Sequence, residues 1–134
     1  GNPTVELTLP VMDDMELAAT KTAEVVAKRM GLDDIKTAEI NMALIEACIN
    51  AFEHSKSKEN VYITYVIEKD NLVIKVGDRG VGFDSEVVAI PNIDEKINSD
   101  HKRGWGLKLM KELMDTVEFE TTESGTTVTM TKSK

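Results

Sequence analysis

The stretch Asn60–Asp78, NVYITYVIEKDNLVIKVGD, decides the fold class. A period of two places Val61, Ile63, Tyr65 and Ile67 on one face of a strand. Glu68–Asn71 reads as a turn, and the chain returns as a second strand ending at Asp78. Val117–Lys132, VEFETTESGTTVTMTK, repeats the pattern. Val117, Phe119 and Thr121 alternate, Glu123–Gly125 turns, and Thr126, Val128 and Met130 come back. Strands that arrive as hairpins, not as alternating strand–helix units, predict an α+β fold.

Working outward, Val5–Pro10 (VELTLP) alternates Val5, Leu7 and Leu9 and stops at a proline, as a short strand does. Asp13–Gly31 reads as a helix capped by Asp13, with Glu16 three residues on and a glycine after its end. Its expected apolar face is Met15, Ala18, Ala19, Thr22, Val25, Val26 and Met30. Leu32–Ser55 reads as a second helix, capped by Asp33 or Asp34. Ile35, Ala38, Met42, Ile45, Ile49 and Phe52 recur at spacings of three and four and predict its core stripe. Leu44, Ala47, Cys48 and Ala51 are apolar elsewhere around it, so much of the helix is expected to be buried. Between the hairpins lie a glycine-rich turn, a polar loop over about residues 84–103, and a third helix from about Trp105 to Asp115. The expected architecture is a two-layer sandwich: a mixed, mostly antiparallel sheet with helices on one face. Residues 1–134 form a single domain in this reading.

Composition bounds the function. The 134 residues are 41% hydrophobic and 30% charged, as in ordinary globular proteins, with only 4% aromatics. The formal net charge of −8 disfavours direct binding of nucleic acid or an anionic membrane surface. One cysteine, Cys48, excludes an internal disulfide framework, and its place in an apolar helix suggests a buried thiol. No apolar run has the length of a membrane span and no signal peptide is apparent, so a cytoplasmic protein is expected.

Three stretches carry candidate chemistry. In Ala43–Ser55, ALIEACINAFEHS, Glu46, Asn50 and His54 follow one another at intervals of four. Such positions drift only about 40° around a helix, so they form one ridge. Glu is a candidate general base, and Asn offers a neutral oxygen to a hard cation such as Mg²⁺. On spacing alone the ridge is either a solvated edge or the wall of a site. In Val76–Asp84, VGDRGVGFD, a strand ends at Asp78, and Gly80 and Gly82 follow. Asp78 could accept from an exocyclic amine; the glycines allow close approach to a ligand, or a plain turn. In His101–Met114, HKRGWGLKLMKELM, Gly104 and Gly106 are read as preceding a helix, whose N-terminal amides favour phosphate. Lys102 and Arg103 add charge just upstream. Trp105 could be a packing anchor.

Taken in order, EACINAFEH, DRGVGF and RGWGLKLM resemble the three boxes of the ATP-binding domain shared by histidine kinases, DNA gyrase and related ATPases. At 134 residues, no dimerisation helix pair, transducer or sensor is expected within this stretch of chain. Nearly the whole chain is similar to the small bacterial anti-sigma-factor serine/threonine protein kinases, as are the pattern Glu46, Ala47, Asn50, Ala51, His54 and the closing Gly125–Val128.

The resemblance implies a Bergerat-type ATP-binding fold using ATP and Mg²⁺. It implies Glu46 as general base, Asn50 as Mg²⁺ ligand and Asp78 as partner of the adenine amine. Gly80 and Gly82 would shape the adenine pocket. Gly104, Gly106 and the amides near Leu107 would cradle phosphates, and residues 84–103 would form an ATP lid. Lys102 or Arg103 reaching a phosphate is inferred from charge. The implied partners are a sigma factor and an anti-sigma-factor antagonist protein phosphorylated on Ser or Thr, with homodimerisation as a family habit. Rival readings are a kinase of this fold without a sigma partner, a non-catalytic nucleotide-dependent binding module, and a histidine-kinase fragment.

Overall fold

The computed structural model describes residues 1–54, 60–78, 88–89, 101–122 and 125–134. The strands are β1 (Thr4–Leu9), β2 (Val61–Ile67), β3 (Asn71–Gly77), β4 (Val88–Ala89), β5 (Thr116–Thr122) and β6 (Gly125–Ser133). The helices are α1 (Met15–Met30), α2 (Asp34–His54) and α3 (His101–Leu113). The strands form one sheet in the order β1-β2-β3-β6-β5-β4. Every described pair is antiparallel, so the sheet is less mixed than expected.

Both hairpins form as read. Tyr62 stands opposite Gly77 and Ile67 opposite Leu72, which puts the Glu68–Asp70 turn at the hairpin's end. The alternation then fixes which face is buried. Val61, Ile63 and Tyr65 of β2, Leu72, Ile74 and Val76 of β3, and Val128 and Met130 of β6 all lie in the core. The Tyr65 hydroxyl donates to the Ala19 carbonyl at 2.7 Å and ties α1 to the sheet.

The helical layer corrects the sequence reading. The core face of α2 is Ile40, Ala43, Leu44, Ala47 and Cys48, not the predicted stripe. Most of that stripe runs along the opposite side, with Ile35 74%, Met42 49% and Ile49 36% exposed, while Phe52 at its end packs against the core. The reason is size. Ala19, Ala23 and Ala27 of α1 are buried together with Ala43, Ala47 and Cys48 of α2, and small residues let two packed helices approach closely. Bulky residues at helical spacing pointed to the wrong side. The α1 face holds in part: Ala19, Val26 and Met30 are buried as read, joined by Ala23 and Ala27, whereas Val25 is 70% exposed.

The ends of the helices match in part. Gly31 takes the left-handed conformation (φ 82°) and its N–H reaches the carbonyls of Ala27 and Lys28. The expected cap from Asp13 is not formed: α1 starts at Met15, after Asp14 in a left-handed conformation (φ 72°), with no side-chain cap. Short polar residues tolerate that backbone. Asp33 caps α2, its Oδ1 accepting from the Lys36 N–H at 2.8 Å.

The third helix begins earlier than predicted. It starts at His101, so Lys102, Arg103, Gly104 and Gly106 lie inside α3 and not ahead of it. A glycine in a helix costs only about 1 kcal/mol relative to alanine, less than burial of Leu107 and Met110 returns. The predicted lid segment also contains β4, whose Val88 pairs with Thr121 of β5. The remainder of that segment up to residue 100, together with Gly80 and Gly82, lies outside the described residues.

Candidate active site

The flank of α2 between its buried face and its exposed stripe carries Glu46 and Asn50, both half-buried. The helix α3 packs on this flank. The contact is close because Gly106 has no side chain. A Cβ placed there would lie 2.7 Å from Glu46 Oε2 and 3.9 Å from Asn50 Nδ2. The glycine therefore lets the backbone of α3 come down onto a carboxylate and an amide of α2.

Asn50 is the informative member. Its Nδ2 is buried and has no hydrogen-bond partner. Leaving such a group unpaired costs about 1–3 kcal/mol, so it asks for a ligand atom. A half-turn of the amide exchanges nitrogen for oxygen. The same position can then face a phosphate oxygen or a cation. Among the described residues no three His, Cys, Asp or Glu side chains gather to hold a metal by themselves. Mg²⁺ bound through one or two protein oxygens, several waters and substrate phosphates does not require such a cluster. The donor set thus fits Mg²⁺ brought in with a nucleotide.

The second candidate is Asp78, one residue past the end of β3 and half-buried. Its Oδ1 accepts from the Thr126 N–H at 3.0 Å, and its own N–H points back to the Thr126 carbonyl at 3.4 Å. The neighbouring strand β6 therefore holds the carboxylate in a fixed orientation. The sequence reading named Asp78 but missed the anchoring role of Thr126. In the sequence, Gly125–Val128 signals only the family resemblance.

Leu107 is 5% exposed and belongs to the core, so only its backbone could meet a ligand. The helix makes even that contact different from the expectation. In a helix starting at His101, the amides of Gly106 and Leu107 lie beyond the first four, which are the ones left without intrahelical partners. The side chains of His54, Lys102, Arg103 and Trp105 lie outside the described residues.

The order of these features along the chain agrees with a family match: the pattern of the histidine kinase-like ATPase domain fits residues 12–132. The chain belongs to the histidine kinase-like ATPase family. Within that family it falls among the anti-sigma-factor serine-protein kinases. It is 32% identical over 137 residues to the serine-protein kinase RsbW of Bacillus velezensis, covering 96% of this chain and 84% of that protein. RsbW of Bacillus pumilus gives the same figures. RsbW of Bacillus cereus is 32% identical over 136 residues, covering 96% and 83%. Among solved structures, the RsbU and RsbW domains of Rv1364c from Mycobacterium tuberculosis superpose with a TM-score of 0.72 at 20% identity, covering 98% of this chain and 33% of that one. That likeness establishes the Bergerat-type fold.

Proposed function

We propose that this kinase domain binds Mg-ATP between α2, α3 and the end of β3, and transfers the γ-phosphoryl group to a serine or threonine of an anti-sigma-factor antagonist. The observation that carries the reading is the meeting of Gly106 with Glu46 and Asn50, where a buried amide has no protein partner. A carboxylate and an unsatisfied amide held together under a glycine suit a reacting phosphate better than a core contact.

In this mechanism Asp78 holds the adenine amine through the carboxylate oxygen that Thr126 leaves available. Gly80 and Gly82 would shape the adenine pocket. Asn50 orients the polyphosphate and would supply an oxygen to Mg²⁺. The metal, when bound, neutralises phosphate charge, which phosphoryl transfer needs more than covalent help. Lys102 and Arg103 would add cationic charge from the first turns of α3, and Gly104 and Gly106 let the helix backbone approach. Glu46 takes the proton from the incoming hydroxyl as its oxygen attacks the γ-phosphorus. The bond from that phosphorus to the β,γ-bridging oxygen breaks and ADP leaves.

The same domain would hold a sigma factor in the cytoplasm, as the family resemblance implies. A pure binding module has no use for a base at Glu46, and that residue separates the two readings. No helix among the described residues is long and apolar enough to cross a membrane. The first test is thermal denaturation with nucleotide. Mg-ATP at a hundred times its Kd stabilises the folded state by about 2.7 kcal/mol, which raises the melting temperature. An unchanged melting temperature at saturating Mg-ATP contradicts ATP binding.

A further inference from the structure

The core holds one charged side chain among the described residues, Lys132 of β6, which is 7% exposed. Its Nζ donates to the carbonyl of Leu113, the last residue of α3, and pairs with Glu39 Oε1 of α2 at 3.1 Å. Burying an ammonium is costly unless it is well partnered, and an apolar side chain would fill the same space. One cation thus joins the C-terminal end of α3 to the flank of α2.

The placement along the two helices gives the contact its meaning. Glu46 is seven residues after Glu39 on α2, and Gly106 is seven residues before Leu113 on α3. Seven residues are about 10.5 Å of helix, close to two full turns. The two helices therefore meet twice at matching separations, once at Lys132 and once where Gly106 rests on Glu46. Between these points α3 contributes Leu107 and Met110 to the core, with Met114 just past its end. Such apolar contacts resist separation but are non-directional. The bond from Lys132 to the helix end is directional.

We propose that Lys132 is a positioning residue that fixes the register of α3 against α2, and through it the placement of Gly106 over Glu46 and Asn50. The inference rests on reading that contact as the phosphoryl-transfer site. It does not need Lys132 to touch the nucleotide.

The test uses Lys132→Met, which keeps length and loses charge, and Glu39→Gln, which keeps packing and weakens the pair. Two readouts are taken. The chain has a single tryptophan, Trp105, next to Gly106 on α3, so its emission and acrylamide quenching report displacement of that helix. The second readout is single-turnover phosphoryl transfer, measured also in the Gly106→Ala background. Lys132→Met is expected to change Trp105 emission and slow transfer at least about tenfold, while ATP affinity changes far less. Its effect on transfer should shrink when Gly106→Ala has already disturbed the contact, since coupled sites are not additive. Unchanged emission, or losses that simply multiply, overturns the proposal. If Lys132→Met does not fold, Glu39→Gln decides by the same criteria. If the wild type transfers no phosphoryl group, the functional reading fails, and Trp105 emission alone decides the register.

Discussion

Replacing Gly106 by alanine separates the site from the fold. The new Cβ would sit 2.7 Å from Glu46 Oε2, whereas ordinary contact begins at 3.4 Å, so the carboxylate must retreat by about 0.7 Å. The atom in the way is the end of a flexible side chain, and no core atom has to move. Stability should therefore follow helix propensity. Alanine is favoured over glycine in a helix by about 0.5–1 kcal/mol, worth a rise of roughly 2–5 °C in melting temperature for a domain of this size. Activity should move the other way. Misplacing a catalytic group by about 1 Å can cost about a hundredfold, so a loss of about ten- to a hundredfold in the transfer step is expected. Differential scanning calorimetry reads the first quantity and single-turnover transfer from labelled ATP reads the second. Transfer at the wild-type rate would show that the Gly106 contact does not position Glu46, and a melting temperature lower by several degrees would show that the contact is structural.

Three further expectations follow from the packing and the titrating groups. Ile40→Ala removes a fully buried side chain and should cost about 2–5 kcal/mol in urea unfolding, while Ile35→Ala on the exposed stripe should stay within about 0.5 kcal/mol; the reverse order would restore the stripe first read as core. The Asp115 carboxyl is held below its ordinary value by the Ser133 N–H at 2.6 Å, with smaller help from Lys132 and Lys36. Its stabilisation is present above the unfolded carboxylate range and lost as pH falls through the folded value, so Asp115→Asn should be less stable than wild type at pH 7 and converge with it in strong acid. Burial, with the charge of Glu16 adding, pushes the Cys48 thiol from 9.0 up to about 12, so its thiolate fraction at pH 8 is about a thousandfold below that of the unfolded chain. Labelling by a thiol reagent should be correspondingly slow until denaturant is added, and rapid native labelling would contradict the burial of Cys48.

Much of the fold was legible because hairpins advertise themselves. The period-two runs around Tyr65, Ile74 and Met130 fix strand, face and partner together, and all three residues are fully buried. The helices were read with the correct type, α1 with a face that holds in part and α2 with the wrong rotation. On α2 apolar residues surround most of the circumference, and the packing side is chosen by close approach of alanines, which hydrophobic size does not reveal. Spacing put Glu46 and Asn50 on one ridge and left open whether that ridge is a solvated edge or the wall of a site. What spacing could not give was the partner that covers them, because Gly106 is more than fifty residues away and was assigned to the approach to a helix. Thr126 and Lys132 were missed for a related reason. One acts through its backbone amide, and the other is a lysine that alternation places on the buried face of β6, two residues after Met130. A lysine in register with a core stripe was the available signal.

The proposed kinase chemistry turns on Glu46 as the base that deprotonates the serine or threonine hydroxyl. The most direct measurement is transfer of labelled γ-phosphate from Mg-ATP to the antagonist protein by wild type and Glu46→Gln, with ATP affinity measured alongside. Wild type is expected to place one phosphoryl group on a serine or threonine. Glu46→Gln should bind ATP with similar affinity and transfer about a hundred- to ten-thousandfold more slowly. Equal transfer by both proteins, or phosphate recovered on histidine, would contradict it.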